Sequence, residues 1–295
     1  MIRKPRQDAY DPLPPFAADY WLAVEDGLRE ASTARVKVVG LARNCRERLL
    51  DNLDLIEMHA HRFGSLQVHV VENDSDDGTD AALREWCGKR AWASCHTLTL
   101  GRQQRSTEFQ GPRTTELAEY RTLCQQWVAD DNDIVIVLDM DTAWWSVPGM
   151  FHGIGTVRRV PVAWGSASVS MAEHMMHTIH GEKLGIIHYD AWALRLNSWW
   201  DDYQGGLGGW KHYWFPAIGS PAVPVCSAFG GLCVYRGKEY LSGVYSGEDC
   251  EHVTFHRSIY EKHGGGIVIN PAQRTMMRYL PEVADGGSDG DNQSG

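Results

Sequence analysis

The sequence predicts an α/β fold, a mixed and mainly parallel sheet flanked by helices. Ile134-Val135-Ile136-Val137-Leu138 is an unbroken apolar run of mostly β-branched residues. Such a run reads as a strand buried on both faces, as in parallel sheets. Upstream of it, strand and helix patterns alternate, the signature of a sheet wound by right-handed crossovers. Two of the strands end in acidic residues, Glu72-Asn73-Asp74 and Asp139-Met140-Asp141. In open α/β sheets, the carboxyl ends of the strands are where ligands bind.

Taken in order, residues 1–15 are charged and Pro-rich and predict an extended arm. Phe16, Tyr20, Val24 and Leu28 recur at helical spacing, giving a helix to about Ala31. Val36 to Leu41 is the first strand, and Ala42-Arg43-Asn44 turns it into a helix over residues 46–62 with Leu49, Leu50, Leu53 and Ile56 inward. Leu66 to Val71 is the second strand. The acidic turn Asp74-Ser75-Asp76-Asp77-Gly78-Thr79 leads into a helix ending near Lys89. Thr97 to Leu100 predicts a short third strand, residues 101–112 a mobile polar loop, and Arg113 to Ala129 a helix. Beyond Asp141 the periods weaken. Pro161 to Val169 and Cys226 to Tyr235 read as strands, and Gly205 to Gly209 as a flexible turn. Glu248 to Lys262 reads as a helix, and Ile267 to Ile269 as a last short strand before Pro271. Residues 282–295, rich in Asp, Gly and Ser, predict disorder.

Composition narrows the function. The net charge of −10 argues against non-specific nucleic-acid binding, which runs on clustered Lys and Arg. Twelve tryptophans, many between Trp144 and Trp214, offer faces for sugar rings or bases as well as core packing. Seven cysteines without a C-x-x-C pair fit a reduced, cytoplasmic setting and no zinc site. Neither a signal-peptide h-region nor a membrane-length apolar run is seen, so a soluble chain without a membrane span is expected.

The chemistry is concentrated at the strand ends. In an extended segment, side chains at i and i+2 share a side, so Asp139 and Asp141 are expected to aim both carboxylates at one point. Two hard oxygen ligands with open positions suit Mn²⁺ or Mg²⁺ carrying a nucleotide's phosphates. A bare Asp-x-Asp also serves as a turn or cap. The second acidic end, Glu72-Asn73-Asp74, strengthens the ligand reading, because a carboxylate there can bond a base or ribose. Arg43, Arg113 and Arg121 are candidate phosphate partners, since a guanidinium matches two phosphate oxygens. Gly247-Glu248-Asp249-Cys250-Glu251-His252 is the other acidic cluster. Glu248 and Asp249 are the candidate catalytic bases or orienting groups. His252, four residues before His256 on one helix face, is a candidate third metal ligand.

In these pieces the chain resembles the GT-A class of nucleotide-sugar glycosyltransferases. They are Leu41-Ala42-Arg43-Asn44, Glu72-Asn73-Asp74-Ser75 with Asp77-Gly78-Thr79, Arg121, Leu138-Asp139-Met140-Asp141, and Phe229-Gly230-Gly231 followed by Glu248-Asp249-Cys250-Glu251. Within the class it looks most like glycosyltransferase family 69, the fungal capsule α-1,3-mannosyltransferases. The resemblance covers roughly residues 36–280. It implies a single GT-A domain over 16–281, with a nucleotide-binding half at 36–141 and an acceptor-binding half at 142–281. It implies that Asp74 recognises the nucleoside and that Asp141, with Asp139, holds Mn²⁺ or Mg²⁺. It also places Ala42, Arg43, Asn44, Glu72, Asn73, Arg113, Arg121, Met140, Gly230 and Gly231 along the donor. The expected reaction moves a hexose, mannose favoured, from a GDP- or UDP-sugar to a hydroxyl of a glycan, glycolipid or protein. Fungal members usually carry a membrane anchor, and a bacterial or phage-encoded cytoplasmic enzyme fits this chain better. A nucleotidyltransferase would carry a Gly-rich basic loop after the first strand, where this chain has Ala42-Arg43-Asn44-Cys45. A non-catalytic carbohydrate-binding protein would leave the paired acidic strand ends unexplained.

Overall fold

The computed structural model describes residues 11–105, 111–129, 132–179, 181–200 and 212–280. Most of the expected arm, part of the 101–112 loop, the Gly205–Gly209 turn and the expected tail lie outside them. One continuous sheet organises the rest, in the order β3-β2-β1-β4-β9-β6-β10-β5, with β7 on β6 and β8 on β10. The strands are β1 Arg35–Ala42, β2 Ser65–Asn73, β3 Ala93–Leu98, β4 Ile134–Leu138, β5 Trp144–Trp145, β6 Ala163–Thr178, β7 Gly181–His188, β8 Val223–Val225, β9 Leu232–Arg236 and β10 Gly266–Arg278. The helices are α1 Ala17–Thr33, α2 Arg46–His59, α3 Thr79–Gly88, α4 Pro112–Trp127, α5 Val147–Arg159, α6 Gly237–Ser242 and α7 Glu251–His263.

Parallel ladders join β1 to β2, β2 to β3 and β1 to β4, and a further long parallel ladder joins β6 to β10. Antiparallel β9 is inserted between β4 and β6. The expected two-faced burial of β4 holds residue by residue. Ile134, Ile136 and Leu138 face one core with α1, α2 and α5, while Val135 and Val137 face the other with α4 and α7. All five are at most 2% exposed, and each such side chain contributes roughly 1.5–3 kcal/mol of burial free energy.

Several boundaries differ from the sequence expectation. The third strand lies at Ala93–Leu98 rather than residues 97–100. Residues 226–231 are not strand, because Gly230 and Gly231 take φ of 72° and 76° and turn the chain into β9. Pro271 does not end the last strand. β10 passes through it at a bulge, where its register against β6 shifts between Asn270 and Arg274, one of the few places a strand tolerates proline. Helix α7 starts at Glu251, so Glu248 and Asp249 sit on the preceding turn. At α1, the buried face is Tyr20, Val24, Gly27 and Ala31. A Cβ on Gly27 would lie 1.8 Å from the Phe151 carbonyl oxygen, so only glycine lets α1 meet α5 this closely. No helix among the described residues is long and apolar enough to cross a membrane.

Several histidines are buried and held neutral. Burial pushes the His256 imidazole down to about 3 and His152 to about 4, and burial with His96 nearby brings His69 to about 4. Their folded values lie below the unfolded one, so the unfolded chain takes up protons first. The stability they contribute is complete above pH 6.5 and is lost as pH falls below it. His256→Gln is therefore expected to lower stability at pH 7.5 yet lose about 1.4 kcal/mol less per pH unit between pH 6 and 5. Urea unfolding at those pH values measures the difference.

Candidate active site

The carboxyl ends of β1, β2 and β4 bring the three N-terminal motifs together. Asn44 and Asp74 both adopt left-handed backbone, φ 48° and 50°, a conformation Asn and Asp tolerate better than most residues. The two turns interlock. Asn44 N donates to Ser75 Oγ at 3.0 Å, Asp76 N to Asn44 Oδ1 at 2.9 Å and Cys45 N to Thr79 Oγ1 at 2.9 Å. Glu72, 1% exposed, accepts from Ser75 N and braces the same turn. Buried Asn73 donates to the Asp74 carboxylate at 3.2 Å. Asp74 itself accepts N–H groups of Leu100 at 2.7 Å, Gly101 at 2.8 Å and Arg102 at 3.2 Å. Burial raises its pKa, but the hydrogen bonds from Gly101, Asn73, Leu100 and Arg102 outweigh that and hold it below the usual value. Its carboxylate thus folds the loop after β3 against the carboxyl end of β2. Arg43 joins that loop by donating to the Arg102 carbonyl.

Asp139 and Asp141 do not sit side by side on an extended strand. β4 ends at Leu138, and Asp139-Met140-Asp141 is a turn, with Thr142 N bonded to Asp139 O at 3.1 Å. Asp139 turns inward onto the Arg121 guanidinium, and Asp141 stays exposed at the mouth. Surrounding protein still withdraws bulk water from Asp141, and with the like charge of Asp139 this raises its pKa to about 6. Met140 points into the core, fully buried, so only its backbone borders the site. The turn is fastened from behind. Met140 N donates to Leu41 O at 3.0 Å and Asp139 N to Gly231 O at 2.9 Å. Asn52 donates to Met140 O at 3.0 Å and Thr142 O at 2.8 Å, and Trp145 Nε1 donates to Asn52 at 2.9 Å. Arg48 donates to Asp141 O at 2.8 Å and Met277 O at 3.2 Å. The one signal for Asn52 was a polar residue on the inward stripe of α2.

Arg121, expected along the donor, is 3% exposed, and its guanidinium is committed to buried carboxylates. Besides Asp139 it faces Glu251 at 3.8 Å and lies over the Phe229 ring at 5.0 Å. Burial disfavours its charge, but Asp139 and Glu251 more than compensate and its pKa is raised. Arg113, on the first turn of α4, stands over the Trp192 ring at 4.9 Å.

The expected acceptor side is rearranged. Asp249 is gripped by buried Arg195 at 2.9 and 3.0 Å and also accepts Cys250 N at 2.7 Å, so its carboxylate is occupied. Glu248 is exposed on the turn, its N–H bonded to Ser246 Oγ. His252 does not complete a metal site. It is 2% exposed, stacked on Phe229 at 3.7 Å, and burial followed by the Arg121 and His256 charges drives its pKa far down. It stands in the first turn of α7, where its ring turns into the core. Among the described residues no three His, Cys, Asp or Glu side chains gather as metal ligands. His256 is fixed between Ser227 Oγ at 2.8 Å and Tyr235 OH at 2.9 Å.

Asp190, which sequence reasoning passed over, belongs to this site. Its Oδ2 accepts Gly230 N at 2.7 Å. Burial pushes its pKa up to about 7, against the Gly230 hydrogen bond and with help from the charges of Glu251 and Asp139. It follows a half-exposed Tyr189 in a stretch without periodicity, so no pattern marked it.

No protein-family model matches the chain, and no curated protein does. Solved structures do. A mannosyltransferase from Pyrobaculum calidifontis, solved with GDP-Man and Mn²⁺, superimposes with a TM-score of 0.51 at 14% identity, over 90% of this chain and 65% of that one. This chain thus spans just under two thirds of that protein's length. The likeness establishes the fold as the GT-A arrangement of a mixed sheet flanked by helices. Mannosyl-3-phosphoglycerate synthase from Rubrobacter xylanophilus matches at TM-score 0.47 and 14% identity over 86% of this chain and 69% of its own. Glucosyl-3-phosphoglycerate synthase from Mycobacterium tuberculosis, solved with Mn²⁺, UDP and phosphoglyceric acid, matches at 0.47 and 12% over 88% and 75%.

Removing the Arg121 charge leaves Asp139 and Glu251 buried without a counterion. Arg121→Met is expected to lower unfolding free energy by about 3–5 kcal/mol, measured by urea denaturation. A loss below about 1 kcal/mol, the size of an exposed pair, would show that Arg121 is not the clamp.

Proposed function

We propose that the protein is a metal-dependent glycosyltransferase that moves a hexose, mannose favoured, from a GDP- or UDP-sugar to a hydroxyl of a glycan, glycolipid or protein. The observation that carries this reading is Asp141, a carboxylate exposed at the ligand end of a GT-A sheet and fastened from behind by Arg48 and Asn52. Its donor set fits Mn²⁺ or Mg²⁺. One or two carboxylates completed by water and substrate phosphates is the usual way such ions are held in phosphate sites. Asp141 would be the direct ligand, and Asp139, bound to Arg121, the nearer of the supporting charges. When bound, the ion would neutralise charge on the departing nucleoside diphosphate.

The chain's own groups do the rest. The interlocked turns at Asn44 and Asp74, with the loop folded by Asp74, form the nucleoside side. Arg43 and Arg113 border the diphosphate path, and the Gly230–Gly231 turn faces the sugar. The resemblance to glycosyltransferase family 69 supports mannose and leaves the acceptor open. The single domain over 16–281, divided at the Asp139–Asp141 turn, and a cytoplasmic location are part of the same proposal.

Thermal-shift titrations with GDP and UDP, each with and without Mn²⁺, test it on the wild type and on Asp141→Ala. One nucleotide is expected to stabilise the wild type only with Mn²⁺, by about 2.7 kcal/mol at a hundredfold excess over Kd. Asp141→Ala is expected to lose the effect. If neither nucleotide stabilises at millimolar concentration, the acidic turn is structural, and a sugar-binding protein without metal becomes the better reading.

A further inference from the structure

We propose that Asp190 is the catalytic base, the carboxylate that takes the proton of the attacking acceptor hydroxyl. This rests on the glycosyltransferase reading and names a residue that neither the motifs nor the resemblance assigns.

Three other carboxylates around the site are paired with arginines. Asp139 and Glu251 share the Arg121 guanidinium. Asp249 is held by both of its oxygens on Arg195. A carboxylate paired in this way has its lone pairs engaged by a cation. Asp190 differs from these, and from Glu248, whose side chain is exposed on its turn. The Asp190 carboxylate accepts backbone N–H groups from Gly230 and Ala193, and no cation pairs with it among the described residues. Backbone amides fix the direction of a carboxylate without supplying a neutralising charge.

Its placement is equally specific. Asp190 N donates to Ser170 Oγ at 2.9 Å and Tyr189 N to Ser170 O at 3.1 Å, tying the segment to β6. Gly230 N donates to the Asp190 carboxylate, while Gly231 O in the same turn accepts Asp139 N. One rigid turn therefore orients Asp190 and the metal-side aspartate together. The turn cannot drift. A Cβ at Gly230 would lie 2.2 Å from Ser168 O, and Thr275 Oγ1 donates to Gly230 O at 2.6 Å.

The step balances simply. The acceptor oxygen forms its bond to the anomeric carbon as the bond from that carbon to the diphosphate oxygen breaks. The bonding pair leaves with the nucleoside diphosphate. The hydroxyl proton passes to Asp190 and from there to solvent. A positioned base of this kind typically contributes 10²–10⁴-fold.

The test compares Asp190→Asn and Asp190→Ala in the full chain. Asparagine keeps an oxygen for Gly230 N but cannot take a proton. Nucleotide release from GDP-mannose and UDP-glucose with Mn²⁺ is followed with water or methyl α-mannoside as acceptor, beside the thermal shift with GDP or UDP and Mn²⁺. Both variants are expected to keep the nucleotide shift, and both to lose about a hundredfold or more in kcat. Asn at the wild-type rate with Ala impaired would make Asp190 a turn anchor and overturn the proposal. Should the wild type bind nucleotide yet turn over neither donor, a crystal structure with GDP-mannose and Mn²⁺ decides. An Asp190 oxygen farther from the anomeric carbon than one interposed hydroxyl allows, roughly 6 Å from hydrogen-bond reach, overturns it, and one within that span supports it. Absence of any nucleotide shift in the wild type instead rejects the glycosyltransferase reading itself.

Discussion

The site depends on one buried cation shared by two distant carboxylates. Arg121 comes from α4, Asp139 from the end of β4 and Glu251 from the start of α7. Each element packs on the others through apolar side chains, but that packing alone does not choose an angular setting. An arginine enclosed with two acids does, because any displacement leaves a charge in a low-dielectric interior without its partner. Phe229 and His252, stacked on each other against this group, close it from water. The acidic turn at the mouth can then be exposed on one side and rigid on the other.

Much of this architecture could be read from the chain. The β4 run, the inward stripe of α2 and the acidic ends of β2 and β4 each follow a period or a punctuation that local physics sets. What local pattern could not show was the partner. Arg121 looked like a phosphate ligand because guanidinium chemistry suits phosphate and buried carboxylate equally. Asp249 looked free because nothing in Glu248-Asp249-Cys250 announces Arg195, which lies more than fifty residues away in an aperiodic, Trp-rich stretch. The i, i+2 argument took the strand to continue two residues past its real end, so the backbone between Asp139 and Asp141 is a turn, while their charges still act on each other. Asp190 carried no motif at all, and only the folded Gly230–Gly231 turn gives it meaning.

The differences between pattern and fold share a physical cause. Long-range ion pairs and positive-φ turns are settled by tertiary contacts, whereas periodicity reports only the burial of a face. Pro271 is the converse case. It is a strong local stop signal, overridden because β6 continues on the neighbouring side and a bulge accommodates the ring.

The insertion of β9 between β4 and β6 bears on how the chain is made. β4 is wholly apolar, and β1 covers only one of its edges. Its other edge waits for Leu232–Arg236, translated 94 residues after Leu138. At ribosomal speeds of about 5–20 residues per second, that interval lasts on the order of 5–20 s. Through it an oily strand edge stays open in the emerging polypeptide, a template for mispairing with other nascent chains. The strand that carries the proposed metal-binding turn is thus also the part of the molecule most in need of a chaperone's cover during synthesis.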